Sequence, residues 1–296
     1  MAIATKELAQ PQQASASSRR TNPLDLALQI LAYIVLVLVA LVMFVPFAFT
    51  VVTSLKNTQE AINITLSNMF WPETATLNAY RTVFDSDLPR WFFNSAFVAV
   101  IWVLGRGVID TMAGYAFARM EFPGRNLVFM MILSTLMIPG IVTIIPKFLI
   151  LNRLNLLDTY GALTLPFVAS AFGIFLMKQF FESIPIELEE AARLDGASRY
   201  RMFREIVLPN AMPALATLTI FTFQGSWNSF LEPLIYISSS SLFTLPLGLA
   251  FFSEEYKTDF PNQMAIAVIT TVPIAIFFIV FQRYFVASNT SSGIKG

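Results

Sequence analysis

Cysteine and histidine are both absent from the sequence of 296 residues. Without cysteine the chain has no disulfide, no thiolate nucleophile and no cysteine metal ligand. Without histidine it also loses the side chain used most often as a general base and as a metal ligand. We therefore predict no catalytic residue and no metal site. Membrane enzymes that depend on histidine chemistry are disfavoured.

Charge is scarce as well, since Asp, Glu, Lys and Arg together make up only 13% of the residues. A typical soluble domain has about a quarter. Hydrophobic residues make up 56%, and 29 residues are phenylalanine. A surface with so little charge suits lipid better than water, which predicts a membrane protein. The formal net charge is zero, so no electrostatic attraction to nucleic acid is expected.

Six apolar stretches are each long enough to cross about 30 Å of hydrocarbon as a helix. This pattern predicts an all-α membrane protein with six transmembrane helices. The predicted spans are approximately 26–52, 91–117, 127–151, 160–180, 211–237 and 263–285.

The polar residues 1–25, rich in Gln, Ser and Ala, are predicted to be a disordered cytoplasmic tail. The first apolar stretch after them is too long for the core of a signal peptide, and no small-residue cleavage site follows it. We therefore predict a six-helix permease domain over 26–287, which includes the loop 182–209. Residues 288–296 are predicted to be a cytoplasmic C-terminal tail.

Lys and Arg residues predict the orientation, because they are enriched in cytoplasmic loops. Of the 19 such residues, Arg106 and Lys147 lie inside apolar stretches. With the N-terminus inside, 12 of the others lie on the cytoplasmic side and five on the outer side. Both termini and the loop 182–209 are therefore predicted to be cytoplasmic.

The loop 182–209 is the longest inner connection, and its sequence predicts a helix–turn–helix. Asp195-Gly196 is a typical turn dipeptide, with a glycine that tolerates positive φ. Apolar residues recur at helical spacing on both sides of it, over 186–194 and 200–207. Pro209 is expected to end the second helix. From this pattern alone, the hairpin is either an amphipathic connection at the membrane surface or a docking site for a protein.

The order of residues in this loop is specific. Glu190-Ala191-Ala192 is followed at set intervals by Gly196, Ile206 and Leu208-Pro209. This spacing resembles the EAA loop of bacterial ABC-importer permeases, which docks in a cleft of a cytoplasmic ATPase subunit. The docking residues implied by the resemblance are Glu190, Ala191, Ala192, Asp195, Gly196, Ala197, Phe203, Leu208 and Pro209. Glu190 is expected to pair with a basic group of the ATPase subunit, and Glu187 and Glu189 to be ordinary solvated carboxylates.

Other segments are similar to the carbohydrate-uptake permeases of the same family. Gly114–Arg119 with Phe122–Arg125 resembles their second cytoplasmic connection, and Gly225–Phe230 resembles their fifth span. Gly293–Gly296 is similar to the end of the maltose-transporter permease. The resemblance implies a multi-pass protein of a prokaryotic cytoplasmic membrane that imports a mono- or oligosaccharide. Its implied partners are a second permease subunit, two copies of an ATPase subunit and an extracytoplasmic sugar-binding protein.

No G-x-x-x-x-G-K-[ST] phosphate-binding loop occurs in the sequence. The chain is therefore predicted not to be an enzyme and to bind no cofactor itself, with ATP and Mg²⁺ held by the partner subunit. A glycerol-phosphate or a polyol is an alternative solute for the same type of permease. A passive channel is disfavoured because it has no need of a docking loop.

Polar residues inside the predicted spans are functional hypotheses, because they are costly in hydrocarbon. Arg106 and Asp110 lie four residues apart and are predicted to form a structural ion pair on one helix face. Trp227, Asn228 and Gln224 are candidates for the substrate pathway, since an aromatic ring and an amide match the apolar face and the hydroxyls of a sugar. Packing between helices is the alternative for Trp227.

The outer loop 238–262 is the region that, by the resemblance, reaches the extracytoplasmic binding protein. The residues implied in this contact are Phe252, Glu254, Glu255 and Tyr256. A solvated loop without a partner is the alternative.

Overall fold

The computed structural model describes residues 23–65, 67–255 and 259–292, and within them every regular element is helical. The prediction of an all-α protein is confirmed. The helices are α1 Pro23–Ser54, α2 Thr58–Ile62, α3 Asn78–Phe84, α4 Leu88–Arg119, α5 Arg125–Thr135, α6 Ile144–Arg153, α7 Tyr160–Thr164, α8 Ala171–Ser183, α9 Glu187–Leu194, α10 Arg199–Met202, α11 Leu208–Asn210, α12 Met212–Trp227, α13 Leu231–Tyr236, α14 Leu245–Glu255 and α15 Phe260–Ser292.

The predicted tails lie mostly outside the described residues. Residues 1–22 and 293–296 are not described, so the prediction of a disordered N-terminal tail stays a prediction. Helix α1 already begins at Pro23, inside the predicted tail. Helix α15 continues to Ser292, past the boundary predicted at 287.

Residues up to Ala48 form a unit of their own, described from Pro23 onward as the first part of α1. Its apolar side chains are exposed on all sides; Val42, for example, is 72% exposed. A helix that is apolar all round and exposes those side chains is typical of a membrane span.

Four described helical segments are long and apolar enough to cross a membrane: Leu26–Ser54, Leu88–Arg119, Tyr160–Ser183 and Phe260–Gln282. The third contains α7 and α8 with a short interruption between them. Two further pairs pass the same criteria together but are bent. Arg125–Thr135 and Gly140–Arg153 meet at 98°, and Arg199–Asn210 and Met212–Trp227 meet at 75°. The described residues therefore hold four candidate spans, or up to six if each bent pair is one span.

The predicted continuous helices over 127–151 and 211–237 are both interrupted. Helix α5 ends at Thr135, four residues before Pro139, which has no N–H to donate and restricts the residue before it. Helix α12 ends at Trp227, and α13 starts only at Leu231.

Within the unit that starts at Phe49, α4 packs along α8 and α12. Two glycines on α4 allow α8 and the segment before it to approach closely. A Cβ at Gly105 would lie 2.7 Å from Val168 Cβ, and one at Gly114 would lie 2.7 Å from Met177 Cβ. Near the end of α4, Tyr115 joins Phe181, Val207 and other apolar side chains in a separate buried cluster. This cluster is where the loop 182–209 joins the helices.

Candidate docking loop and translocation face

The loop 182–209 is a helix–turn–helix, as predicted. Its first helix is α9, and the turn after it places Gly196 at φ +79°. The N–H of Ala197 donates to the carbonyl of Ala192 at 3.0 Å, which closes the end of α9. Positive φ favours glycine, because other residues are strained in that backbone conformation. Space is not the constraint here, since a Cβ on Gly196 would meet no atom within 4 Å.

The second half of the loop does not stop where the sequence predicts. Ser198 starts α10 by accepting a hydrogen bond from the N–H of Arg201 at 3.3 Å. The helical path then continues through a π-helical turn, Phe203–Val207, and α11 to Asn210. Pro209 lies inside this path, which ends one residue later at Asn210, so the helix continues slightly past the predicted end.

The apolar residues of the loop divide between two surfaces. Ala192, Met202 and Val207 are buried against the rest of the chain. Leu194 and Tyr200, on either side of the turn, point the other way and are 90% and 70% exposed. The loop therefore has one side packed on the helices and another that exposes apolar residues beside charged ones.

The nine predicted docking residues are distributed over both surfaces. The exposed ones are Glu190, Ala191, Asp195, Gly196 and Pro209. Ala197 and Leu208 are half-buried. Ala192 faces the helices, and the ring of Phe203 lies 4.9 Å from the ring of Tyr115. These last two therefore hold the loop in place and do not face outward.

Glu189 corrects the prediction that it is an ordinary solvated carboxylate. Its side chain is only 9% exposed, and Oε1 lies 2.7 Å from Arg119 Nε at the end of α4. The two atoms are not well aligned for a hydrogen bond, so the contact is an ion pair. Glu189 Oε2 accepts a hydrogen bond from the hydroxyl of Tyr115 at 3.1 Å. The neighbouring Glu190 is exposed and lies in none of the ion pairs found among the described residues.

Trp227 is a packed residue in this structure. Its side chain is 1% exposed, and Nε1 donates to the carbonyl of Thr270 at 3.1 Å. Its ring stacks on Phe223 and meets the edge of Phe92. These rings and that of Phe277 line a recess whose walls are almost entirely apolar atoms. Such a recess offers no partners for the hydroxyls of a sugar.

Gln224 and Asn228, by contrast, are exposed one turn apart at the end of α12. Gly225 is exposed between them, and a Cβ there would meet no atom within 4 Å. The result is an open surface with two amide groups, which we call the α12 amide face: Gln224, Gly225 and Asn228. Amides donate and accept hydrogen bonds, as sugar hydroxyls do.

The predicted ion pair between Arg106 and Asp110 is wrong. No ion pair joins them in the described residues. Arg106 Nε donates to the carbonyl of Phe167 at 2.8 Å, and the guanidinium lies over the Trp102 ring. Asp110 accepts hydrogen bonds from the N–H and the hydroxyl of Ser170, at 2.9 and 2.8 Å. Both side chains bind the interrupted segment between α7 and α8.

The outer loop has helix α14 at its centre. Phe252 is 3% exposed, so its ring belongs to the core, whereas the ring of Phe251 is 52% exposed. The side chains of Glu254 and Glu255 and the whole of Tyr256 lie outside the described residues. Across the described ranges, no group of three acidic side chains is arranged to hold a metal ion.

Long apolar helices, joined in part by a helix–turn–helix loop, define a membrane protein of several spans. The chain belongs to the family of binding-protein-dependent transport system inner membrane components, whose model matches residues 110–290. It is thus a multi-pass inner-membrane permease of ABC transport, a component that is not itself catalytic. The predicted resemblance to ABC-importer permeases is confirmed.

Relatives with named substrates cover nearly the whole chain. The arabinooligosaccharides transport system permease protein AraQ of Halalkalibacterium halodurans is 36% identical over 280 residues, which is 94% of this chain and 99% of the relative. The diacetylchitobiose uptake system permease protein NgcG of Streptomyces coelicolor is 33% identical over 268 residues, or 89% and 87%. A bacterial ABC transporter involved in the import of the acidic polysaccharide alginate matches with a TM-score of 0.79 at 25% identity, covering 89% of this chain and 98% of that chain.

Proposed function

We propose that the chain is a translocation subunit that imports a carbohydrate, driven by ATP hydrolysed on a separate subunit bound to the loop 182–209. The observation that carries the proposal is the two-sided loop. One side is buried against the helices, and the other presents Leu194, Tyr200 and Glu190 to the surroundings. Exposed apolar residues beside an exposed carboxylate suit contact with another protein.

The rest of the proposed assembly contains a second permease subunit, two copies of the ATPase subunit and an extracytoplasmic sugar-binding protein. ATP and Mg²⁺ would be held by the ATPase subunits, because this sequence has no phosphate-binding loop. We expect the isolated chain to hydrolyse no ATP. Robust hydrolysis by contaminant-free permease would contradict the proposal.

The carbohydrate is inferred from the relatives, two of which are named for arabinooligosaccharides and diacetylchitobiose. A glycerol-phosphate or a polyol remains the alternative solute. Thermal-shift screening of the cognate binding protein distinguishes them. Stabilisation by an oligosaccharide supports the proposal, and stabilisation only by glycerol-phosphate or a polyol overturns the substrate class.

For the substrate pathway, we propose the α12 amide face in preference to Trp227. Because Asn228 is exposed, Asn228→Ala should lower uptake while leaving the stability of the complex unchanged. Trp227→Ala should instead destabilise the protein by about 3–5 kcal/mol, as the loss of a large buried side chain does. Uptake kinetics and thermal unfolding of both variants test this assignment. A stable Trp227→Ala protein with reduced uptake would reverse it.

The orientation is proposed with both termini inside. Since the chain has no cysteine, single introduced cysteines report their own side of the membrane. Labels at Ser67, Asn155 and Ser239 should react from outside intact cells, and labels at Ser17 and Ser198 only from inside. Reaction of residue 198 from outside would overturn both the orientation and the docking proposal.

Docking is tested by Glu190→Lys and Gly196→Asp. The first reverses an exposed charge that is suited to a basic group of the ATPase subunit. The second places a side chain at φ +79°, which costs about 1 kcal/mol, and fills the surface of the turn. Neither residue is buried, so membrane insertion should be normal.

We expect the ATPase subunit to co-purify poorly with both variants, or ATP hydrolysis to be uncoupled from uptake. Glu187→Lys is the matched control, because Glu187 is an exposed carboxylate on the same helix. Normal association and normal uptake in both variants would mean that the loop is only a surface hairpin.

A further inference from the structure

Arg119 and Glu189 form the one ion pair in the described part of the chain that joins two helices. The other two pairs, Lys178–Glu182 and Arg201–Glu205, each lie within one helical stretch at a spacing of four residues. The side chains of Arg119 and Glu189 are 10% and 9% exposed. Those of Arg201 and Glu205 are 65% and 57% exposed.

The buried pair fixes three elements at one point. Arg119 is the last residue of α4. Its guanidinium nitrogen Nη2 donates to the carbonyl of Ile184, just after α8. Glu189 lies in the first turn of α9 and accepts a hydrogen bond from Tyr115, one turn before Arg119 on α4. The Tyr115 ring also meets the rings of Phe181 and Phe203. Both halves of the loop are thereby tied to α4.

A buried pair of this kind resists opening. Separating the two charges without water leaves each of them unpaired in a low dielectric, whereas an exposed pair exchanges freely with solvent. The loop 182–209 therefore cannot tilt away from α4 without breaking the pair. A displacement of the loop would instead be passed to α4 as a whole, which packs along α8 and α12.

We propose that Arg119 and Glu189 are positioning residues that transmit movement of the loop 182–209 to α4. This inference depends on the proposed function, since the movement would be caused by the ATPase subunit docked on the exposed side of the loop. Neither residue belongs to that exposed side. Docking and transmission are therefore separate properties of the loop, and they should be separable by mutation.

The first experiment measures solute uptake per ATP hydrolysed in the reconstituted transporter. Glu189→Gln and Arg119→Gln should each lower this ratio by about fivefold or more, while the amount of co-purified ATPase subunit stays within about twofold. Because both variants remove the same contact, the double variant should be no worse than the worse single one. Arg201→Gln and Glu205→Gln are the matched controls and should leave the ratio unchanged.

Three outcomes would overturn the proposal: an unchanged ratio in both single variants, defects that multiply in the double variant, or loss of the ATPase subunit from inserted Glu189→Gln. In the last case the pair would contribute to docking itself. If the unmodified chain co-purifies with no ATPase subunit, the proposed function itself is wrong. This outcome is distinct from the three above, which concern only the variants.

A second measurement does not depend on ATP. Spin labels on cysteines introduced at Glu121 and Arg193, both exposed, report the distance between the end of α4 and α9. In the assembled transporter this distance should have a narrow distribution, which Glu189→Gln broadens and Glu205→Gln does not. An equally narrow distribution in Glu189→Gln would show that packing alone holds the loop, and would overturn the proposal.

Discussion

Two arginines of helix α4, Arg106 and Arg119, differ in what they bind. Arg106 and Asp110 are four residues apart on the same helix, a spacing that favours an ion pair, yet each binds the segment between α7 and α8 instead. Arg119 pairs with Glu189, which is distant in sequence. Sequence spacing therefore favours the pair that does not form and gives no indication of the pair that does.

The difference follows from what surrounds each side chain. The interruption between α7 and α8 leaves backbone groups without helical partners, among them the carbonyl of Phe167 and the N–H of Ser170. Inside a membrane such groups must be satisfied by the protein. Arg106 and Asp110 do this, so they are occupied by backbone. Arg119 also donates to a backbone carbonyl, that of Ile184, but through Nη2, so its Nε is left to pair with the buried carboxylate of Glu189.

The largest effect should come from Asp110→Ala, which removes the acceptor of two hydrogen bonds from Ser170. Asp110 is fully buried, so water cannot replace it readily. We expect a loss of about 3–6 kcal/mol of stability, since each of the two hydrogen bonds to a charged group contributes about 1.5–3 kcal/mol. Thermal unfolding in detergent measures the loss. Asp85→Ala, at an exposed carboxylate, is the control, and equal effects of the two changes would show that Asp110 does not hold Ser170 at the start of α8.

Gly173 tests the same contact from the other side. A Cβ there would lie 2.0 Å from Asp110 Oδ2 and 2.8 Å from Ser170 Oγ, so Gly173→Ala must displace Asp110. We expect a loss of about 1–3 kcal/mol, as for other overpacked sites. Gly107→Ala on α4 has no atom within 4 Å of the new Cβ and should be neutral or stabilising. Thermal unfolding that gives both changes the same sign would contradict this account.

A double-mutant cycle compares the two arginines directly. For Arg106→Gln and Asp110→Asn, the departure from additivity should be the smaller one, because no ion pair joins the two residues and each binds its own backbone group. For Arg119→Gln and Glu189→Gln the changes in stability should not add, since one contact is lost in both. Thermal unfolding of the four single and two double variants measures both couplings. A larger coupling at Arg106 and Asp110 would restore the ion pair that the spacing predicts.

Much of the fold was predictable from the sequence, because long apolar stretches, the Gly196 turn and the helical spacing in 182–209 are local signals. The orientation of the loop was less so. The helical spacing over 186–194 predicts one apolar side that includes Ala192 and Leu194, yet the structure buries Ala192 and exposes Leu194. Which side of a short amphipathic helix is buried depends on tertiary neighbours such as Tyr115 and Phe181, which the local pattern does not reveal.

The contrast between Glu189 and Glu190 has the same cause. Adjacent residues on a helix point about 100° apart, so only one of them faces Arg119. Arg119 stands out in the sequence as an arginine at the end of a long apolar stretch, which indicates that it needs a polar partner. Nothing local connects it with a carboxylate 70 residues further on. In α12, likewise, the sequence predicts that Trp227 and Asn228 belong to one candidate site. In the structure the ring of Trp227 is buried and the amide of Asn228 is exposed.

Asp158 extends the comparison to a carboxylate that is held without an arginine, and it should show the smallest effect. The hydroxyl and N–H of Ser239 and the N–H of Ser238 donate to its carboxylate. These hydrogen bonds, with the Ser239 hydroxyl foremost, lower the pKa of Asp158 from its ordinary value of 3.8. A lowered pKa means that the contribution to stability is complete above 3.8 and is lost only as the pH falls through the lower, folded-state value.

We therefore expect the difference in melting temperature between the unmodified protein and Asp158→Asn to be constant from pH 7 to pH 5 and to shrink only below about 4. Asparagine tolerates the positive φ of Asp158, 56°, so this variant removes the charge without straining the backbone. A difference that already shrinks between pH 7 and pH 5 would mean that the carboxylate titrates above its ordinary value, and that these hydrogen bonds do not hold it in its charged form.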